Sequence, residues 1–193
     1  MALERDPQTG FAHVSAIVED GAVLGANTKV WHQAHVRAGA VIGSDCVLGK
    51  NVFVDAGVTI GDRCKIQNNV SVYNGVELAD DVFVGPGAVF TNDLRPRAAN
   101  SVWSITPTHV ATGASIGANA TIVCGNVIDR NAMIAAGSVV TRSVSAHQLV
   151  GGNPARHLGW VCECGTVVSR APTVPADLRC PLHGGPPSTK EAS

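Results

Sequence analysis

From Val18 to Phe90 every sixth residue is aliphatic or, at the last step, Phe: Val18, Leu24, Val30, Val36, Ile42, Leu48, Val54, Ile60, Ile66, Val72, Leu78, Val84 and Phe90. The count resumes at Val110 and runs through Ile116, Ile122, Ile128 and Ile134 to Val140. One face of a helix recurs about every 3.6 residues and one face of a strand about every 2, so neither generates a period of six. A short repeat of this kind marks a β-solenoid, in which each hexad is one side of a coil.

The other hexad positions give the backbone path. The fifth is small or β-branched (Ala34, Ala40, Cys46, Val52, Val58, Cys64, Val70) and must point inward beside the aliphatic ladder, giving a narrow core. The fourth is mostly Gly, Asn or Asp (Gly21, Asn27, Gly39, Asp45, Asn51, Gly57, Asn69, Gly75), the residues that take positive φ most cheaply. Each unit is therefore a short strand and a corner. Three units close a triangular coil, and coils stacked at about 4.8 Å satisfy one another's backbone hydrogen bonds. Residues eighteen apart then lie directly above one another.

Composition narrows the function. With 193 residues, 45% apolar and 4% aromatic, the chain can form one domain with an aliphatic core. A formal charge of −1 offers no electrostatic case for nucleic acid or an anionic membrane. No apolar run approaches the roughly 18 residues of a membrane helix, and the start lacks a basic-then-apolar leader, so a cytoplasmic protein is expected. Cys46 and Cys64, one coil apart at inward positions, should stack as reduced fillers rather than as a disulfide.

The repeat breaks in two places. Phe90 and Val110 are twenty residues apart instead of six, so about fourteen residues, in an extruded loop at about 91–109, leave the solenoid. An excursion from a rigid scaffold is where a site tends to be built. After Val140 the hexad fades, which divides the chain into a helix domain at 1–145 and a cap with a tail at 146–193 that covers the open sheet edge. The tail carries Cys162, Cys164, Cys180 and His183, a set of the size and chemistry of a structural zinc site, although CxC is a less typical spacing than CxxC. An unliganded tail is the alternative.

Stacking by eighteen turns the sequence into a surface map. One corner carries Trp31, His32 and Gln33, then Gly49, Lys50 and Asn51, then Gln67, Asn68 and Asn69, then Gly85, Pro86 and Gly87. The neighbouring column holds Arg37, Asp55, Tyr73 and Thr91, where the excursion begins. Asn51 and Asn69 serve equally as plain turn residues, but with Gln67, Tyr73 and Arg37 nearby the corner suits a sugar or nucleotide.

Several segments together resemble the nucleotide-linked 3-amino-sugar N-acetyltransferases among the hexapeptide-repeat acyltransferases: KVWHQAHVRAGAVIG (29–43), DRCKIQNNVSVYNGVEL (62–78), FTNDLRPRA (90–98), GASIGANATIVCGNVI (113–128) and VGGNPARHLG (150–159). The similarity spans nearly the whole chain, and the trailing GWVCECG resembles the end of some members. The resemblance implies an all-β, left-handed parallel β-helix that forms a homotrimer, with sites between neighbouring subunits. It implies transfer of an acetyl group from acetyl-CoA to the 3-amino group of a UDP- or dTDP-linked sugar. It places Asn68 and Asn69 near the reacting amine, with His35 as a further catalytic candidate. Trp31, Arg37, Asn51, Tyr73 and Asn92 fall on the sugar and nucleotide side. CoA would pass the small residues Ala118, Ala135, Ala136 and Gly137, its phosphates meeting Arg142 and Arg156.

That chemistry is undemanding, because a thioester already reacts with a neutral amine and alignment supplies much of the acceleration. His35 and His109 are the candidate bases. Asn126 departs from the apolar pattern at an inward position, so it must be hydrogen-bonded locally or its coil distorted. A γ-class carbonic anhydrase would share the solenoid, but it needs three zinc-binding histidines, and Tyr73 and the coil LADDVFVGPGAVF supply none. A hexapeptide O-acetyltransferase and a non-catalytic scaffold are the remaining alternatives.

Overall fold

The computed structural model describes residues 10–183. The opening residues, on which the expected absence of a leader rests in part, and the last ten of the tail lie outside them. The chain is a left-handed parallel β-helix whose coils are built of two- and three-residue strands, and its three sheets hold ten, seven and six strands, the largest including the longer strands of the cap. Face one includes Lys29–Val30, Val47–Leu48 and Lys65–Ile66; face two His35–Val36, Phe53–Val54 and Ser71–Val72; face three Val41–Ile42, Thr59–Ile60 and Val76–Leu78. Partners are eighteen residues apart, as in Lys29↔Val47 and Lys65↔Phe83, so the expected stacking register holds.

The hexad roles follow the same geometry. First-position residues from Val30 to Val140 are fully buried, with Ala34, Ala40, Val52, Val58 and Val70 beside them. The ladder begins one hexad before Val18, at Phe11–Ala12, which pairs with Lys29–Val30. Only an Ala marks that hexad, so the aliphatic count starts too late. Fourth positions of the regular hexads from Gly21 to Gly137 carry positive φ, even at Gln33 and Arg63 (both 58°), where the left-handed corner costs about 1–2 kcal/mol per residue. The fold imposes the corner and the sequence lowers its cost where it can.

Cys46 and Cys64 are buried free thiols, as expected, yet they do more than fill space. The Cys46 amide donates to Thr28 Oγ1 (2.9 Å) and the Cys64 amide to Cys46 Sγ (3.3 Å). The two thiols donate to the carbonyls of Gly61 and Ala79 (3.1 and 3.0 Å). This column thereby satisfies amides that bond to a local carbonyl at other corners, as Ala34 N does to Trp31 O (3.2 Å). Asn126, 8% exposed, is locally bonded through Nδ2 to Val123 O (2.7 Å).

Across the excursion the register jumps from eighteen to thirty-two, as in Phe83↔Ser115, which accounts for the expected fourteen residues. Residues 91–107 form no strand, and the loop is closed at its base by Thr106 N to Asn92 O (2.9 Å) and Asn92 Nδ2 to Asn74 O (3.2 Å). Beyond Val140 the solenoid continues through Gln148–Gly151, parallel to Met133–Ile134. The chain then reverses into Arg156–Val161 and Val167–Ser169, both antiparallel. Trp160 is buried in this cap and donates Nε1–H to Ala171 O (2.9 Å). No helix among the described residues is long and apolar enough to cross a membrane.

Candidate active site

The corner between faces one and two brings many of the expected residues onto one line. Trp31, Asn51, Asn68, Asn69, Ala118, Ala135, Ala136 and Gly137 all occupy it, in successive coils. Its lower part is a shallow groove of about 310 Å³ lined by Trp31, His32, Val47, Gly49, Lys50, Gln67 and Asn68. A larger hollow of about 480 Å³ lies inside the excursion, between Asp93 and Thr106, but its walls are mostly exposed loop and it touches none of the corner residues. The groove is the stronger candidate, because rigid coils hold its side chains.

Asn68 is fixed by its own acceptor. Its Oδ1 takes the Lys50 amide proton at 2.8 Å, so Nδ2 must be the outward donor, and Nδ2 has no partner among the described residues. The same device recurs at the corner between faces three and one, where Asp62 Oδ1 accepts from Ser44 N (2.7 Å) and Asp80 Oδ1 from Asp62 N (2.9 Å). Each of these side chains lies against a glycine of the coil below; a Cβ on Gly49 would stand 2.5 Å from Asn68 Oδ1 and 2.8 Å from Asn68 N. Asn69, in the left-handed corner position (φ 62°), accepts Asn51 Nδ2 at 3.1 Å. Asn51 is thus tied to Asn69, and Asn68 and Asn69 each have Oδ1 committed as an acceptor, which leaves Nδ2 of each as the donor.

Further along, the corner loses its bulk. Gly117, Ala118, Ala135, Ala136 and Gly137 leave the backbone accessible, about 10–15 Å from Asn69 at the coil spacing. Arg156 follows at the edge of the cap, where Ala155 N bonds to Val139 O (2.8 Å). A track therefore runs from the amide donors past small residues to a guanidinium.

Other expected site residues are elsewhere in a single chain. Arg37, Tyr73, Asn92 and Arg142 stand on the corner between faces two and three, across the width of face two. His35 lies on face two and stacks below Phe53 and Ser71, about 10 Å along the axis from the level of Asn68 and Asn69. His109 lies on face three, bonded to Glu77 Oε2 (2.9 Å). Sequence stacking overlooked Glu19, which sits eighteen residues before Arg37 and was readable by the same spacing. Its carboxylate bonds to His35 Nε2 (2.7 Å) and to Ala38 N (2.8 Å).

The charges on this second corner are mutually held. The Ala38 amide, followed by His35, lowers the Glu19 carboxyl below its ordinary range. Burial raises Asp55, but the amides of Ala56 and Asn74 and the Arg37 guanidinium (Nη1 to Oδ1 2.8 Å) outweigh it and leave Asp55 lowered. An ionised Glu19 only accepts, so His35 carries its proton on Nε2 and presents Nδ1 as the basic nitrogen. A carboxylate-oriented imidazole is a workable base, though not one that reaches the amide corner of its own chain.

Comparison with known proteins bears on the repeat. A model described as the hexapeptide repeat of succinyl-transferase matches residues 39–74 and 112–142, and one described as the bacterial transferase hexapeptide (six repeats) matches 21–56 and 57–92. Together they cover more than half of the chain. A dTDP-3-amino-3,6-dideoxy-α-D-galactopyranose 3-N-acetyltransferase from Aneurinibacillus thermoaerophilus is 46% identical over 57 residues, which are 30% of this chain and 30% of that protein. Among solved structures, an N-acyltransferase from Bacillus cereus, a point mutant in complex with dTDP and coenzyme A, has a TM-score of 0.59 at 17% identity over 72% of this chain and 80% of that one. A hexapeptide-repeat acetyltransferase from Vibrio cholerae, complexed with acetyl coenzyme A, has a TM-score of 0.50 at 29% identity over 60% of this chain and 70% of that one. At 17% identity the first of these structures establishes the fold alone.

Proposed function

This chain belongs to the hexapeptide-repeat transferases, and we propose that it moves an acetyl group from acetyl-CoA to the 3-amino group of a UDP- or dTDP-linked sugar. The observation that carries this is the corner itself, where the amide donors of Asn68 and Asn69 lead past Ala118, Ala135, Ala136 and Gly137 toward Arg156. The matched stretch of the amino-sugar N-acetyltransferase adds support for the acceptor class.

Pantetheine lies against the small residues and Arg156 meets a CoA phosphate, while Trp31 and the groove take the sugar end. The neutral amine attacks the thioester carbonyl, and the oxygen that gains negative charge is held by an N–H donor, a role we assign to Asn68 Nδ2. Collapse breaks the C–S bond, and the departing thiolate takes the proton released by the amine. Catalysis is chiefly alignment.

Arg37, Tyr73, Asn92 and Arg142 join the site through a homotrimer, in which the second corner of one subunit faces the first corner of its neighbour. The exposed aliphatics Ile17 and Val89 on face two, and Val23, Val41 and Val127 on face three, support such an association. Use of acetyl-CoA supports a cytoplasmic location. The His35–Glu19 pair favours a second reading, O-acetyl transfer, in which His35 Nδ1 deprotonates a hydroxyl.

A thiol-release assay with acetyl-CoA and a panel of acceptors separates these readings. Release with 3-amino nucleotide sugars alone is expected. Release only with hydroxyl acceptors, abolished by His35→Ala, would replace the first reading with the second, and silence with every acceptor would refute both.

A further inference from the structure

The terminal hairpin holds a side-chain cluster that acyl transfer leaves unused. The Sγ atoms of Cys162, Cys164 and Cys180 all lie within 4.8 Å of one another, with Cys162 to Cys164 at 3.2 Å and Cys164 to Cys180 at 3.4 Å. His183 Nδ1 is 3.1 Å from Cys180 Sγ. Two tight turns present these donors. In the first, Cys162 N bonds to Thr166 O (3.0 Å) and Gly165 N to Cys162 O (2.9 Å), with Gly165 at φ 84°. The second is the Cys-Pro-Leu-His turn at 180–183.

Little else holds the second turn in place. Among the described residues, 172–183 make no backbone hydrogen bond to the rest of the chain, and Val174 and Leu182 are exposed rather than packed. Ordering a dozen residues costs about 1–2 kcal/mol each, and thiol–thiol contacts are too weak to offset it. A cation shared by the four donors does offset it, because metal binding contributes directly to folding.

We propose that Cys162, Cys164, Cys180 and His183 bind one structural zinc ion that fastens the 172–183 segment to the cap of the β-helix. Zn–S bonds of about 2.3 Å place sulfurs about 3.8 Å apart in a tetrahedron, so the Cys162–Cys164 and Cys164–Cys180 pairs need only spread by about half an ångström, while His183, beside Cys180 at 3.1 Å, turns further toward Cys162 to complete the set. A disulfide would need two of them to approach by more than an ångström and would leave the other two donors unexplained. Three thiolates and an imidazole are a soft tetrahedral set, which selects zinc over harder divalent ions. All four positions are filled by protein, so the ion has no open site for substrate.

Full-length protein purified under reducing conditions without a metal-binding tag should contain one zinc per chain by elemental analysis. Replacement with cobalt(II) should give the thiolate charge-transfer and d–d bands of a tetrahedral sulfur-rich site. Removing the metal, or introducing Cys180→Ser or His183→Ala, should expose the bond after Arg179 to trypsin at least roughly tenfold faster while the β-sheet circular dichroism stays unchanged. Absence of stoichiometric metal, a disulfide among these cysteines in the purified protein, or tryptic cleavage after Arg179 unaffected by chelation would each overturn the proposal.

Discussion

Replacing Asn68 separates the two jobs the corner gives it. Asn68→Asp keeps an oxygen able to accept the Lys50 amide, the job that Asp62 and Asp80 already perform at another corner, and removes only the outward N–H donor. It should therefore be clearly less destabilising than Asn68→Ala, which deletes the acceptor as well and should lose about 0.5–1.5 kcal/mol. Turnover should respond to both variants. A donor aimed at developing negative charge contributes about 2.7–4 kcal/mol, so kcat should fall by roughly 10²–10³ in each, with the added carboxylate of Asp making it the poorer enzyme. Thermal melts read the first effect, and CoA release with a 3-amino nucleotide sugar reads the second. If Asn68→Asp kept kcat within about threefold of wild type, the amide would be a turn residue and nothing more. Equal destabilisation by both variants would refute the assignment of Oδ1 as the structural half.

The remaining expectations concern packing, charge and cofactor grip. Gly49→Ala places a methyl against the Asn68 amide nitrogen and should cost about 1–3 kcal/mol in denaturant unfolding while lowering turnover, because the clash displaces the corner. Ile66→Ala, at a fully buried rung, should cost about 2–5 kcal/mol, against less than about 0.5 kcal/mol for the exposed Val14→Ala. Asp55 titrates below its ordinary value in the folded chain, so its contribution is full above about pH 4 and is lost as pH falls through the lowered value. Wild type should therefore lose melting temperature on acidification more steeply than Asp55→Asn. Arg156→Ala should raise KM for acetyl-CoA roughly tenfold with kcat nearly unchanged, as expected for loss of a charge-assisted phosphate contact.

The solenoid was legible because its physical cause is local and repeated. One inward ladder, one small neighbour and one left-handed corner recur every six residues, so Val30, Ala34 and Gln33 already describe a coil. The first hexad escaped because Ala12 is too small to register as a rung. The candidate corner was legible for the same reason, since spacing by eighteen stacks Trp31, Gly49 and Gln67, and beside them His32, Lys50 and Asn68, without any knowledge of side-chain direction. The hydrogen bonds were not legible. Nothing in the sequence distinguishes Asn68, whose oxygen is committed to Lys50, from Asn69, whose oxygen takes Asn51. The separation of Arg37, Tyr73, Asn92 and Arg142 onto another corner is also a property of the triangular section, which a linear count of motif residues conceals. Glu19 shows the converse, a residue the spacing places beside Arg37 but that no motif singles out.

The corner between faces one and two is the central claim, and a crystal structure of the protein with acetyl-CoA tests it most directly. The pantetheine arm should lie along Gly117–Ala118 and Ala135–Gly137, with the thioester end toward Asn68 and Asn69 and a phosphate at Arg156. Acetyl-CoA seated along the corner of Arg63, Asp80 and Asp81, or only within the excursion between Asp93 and Thr106, would contradict it.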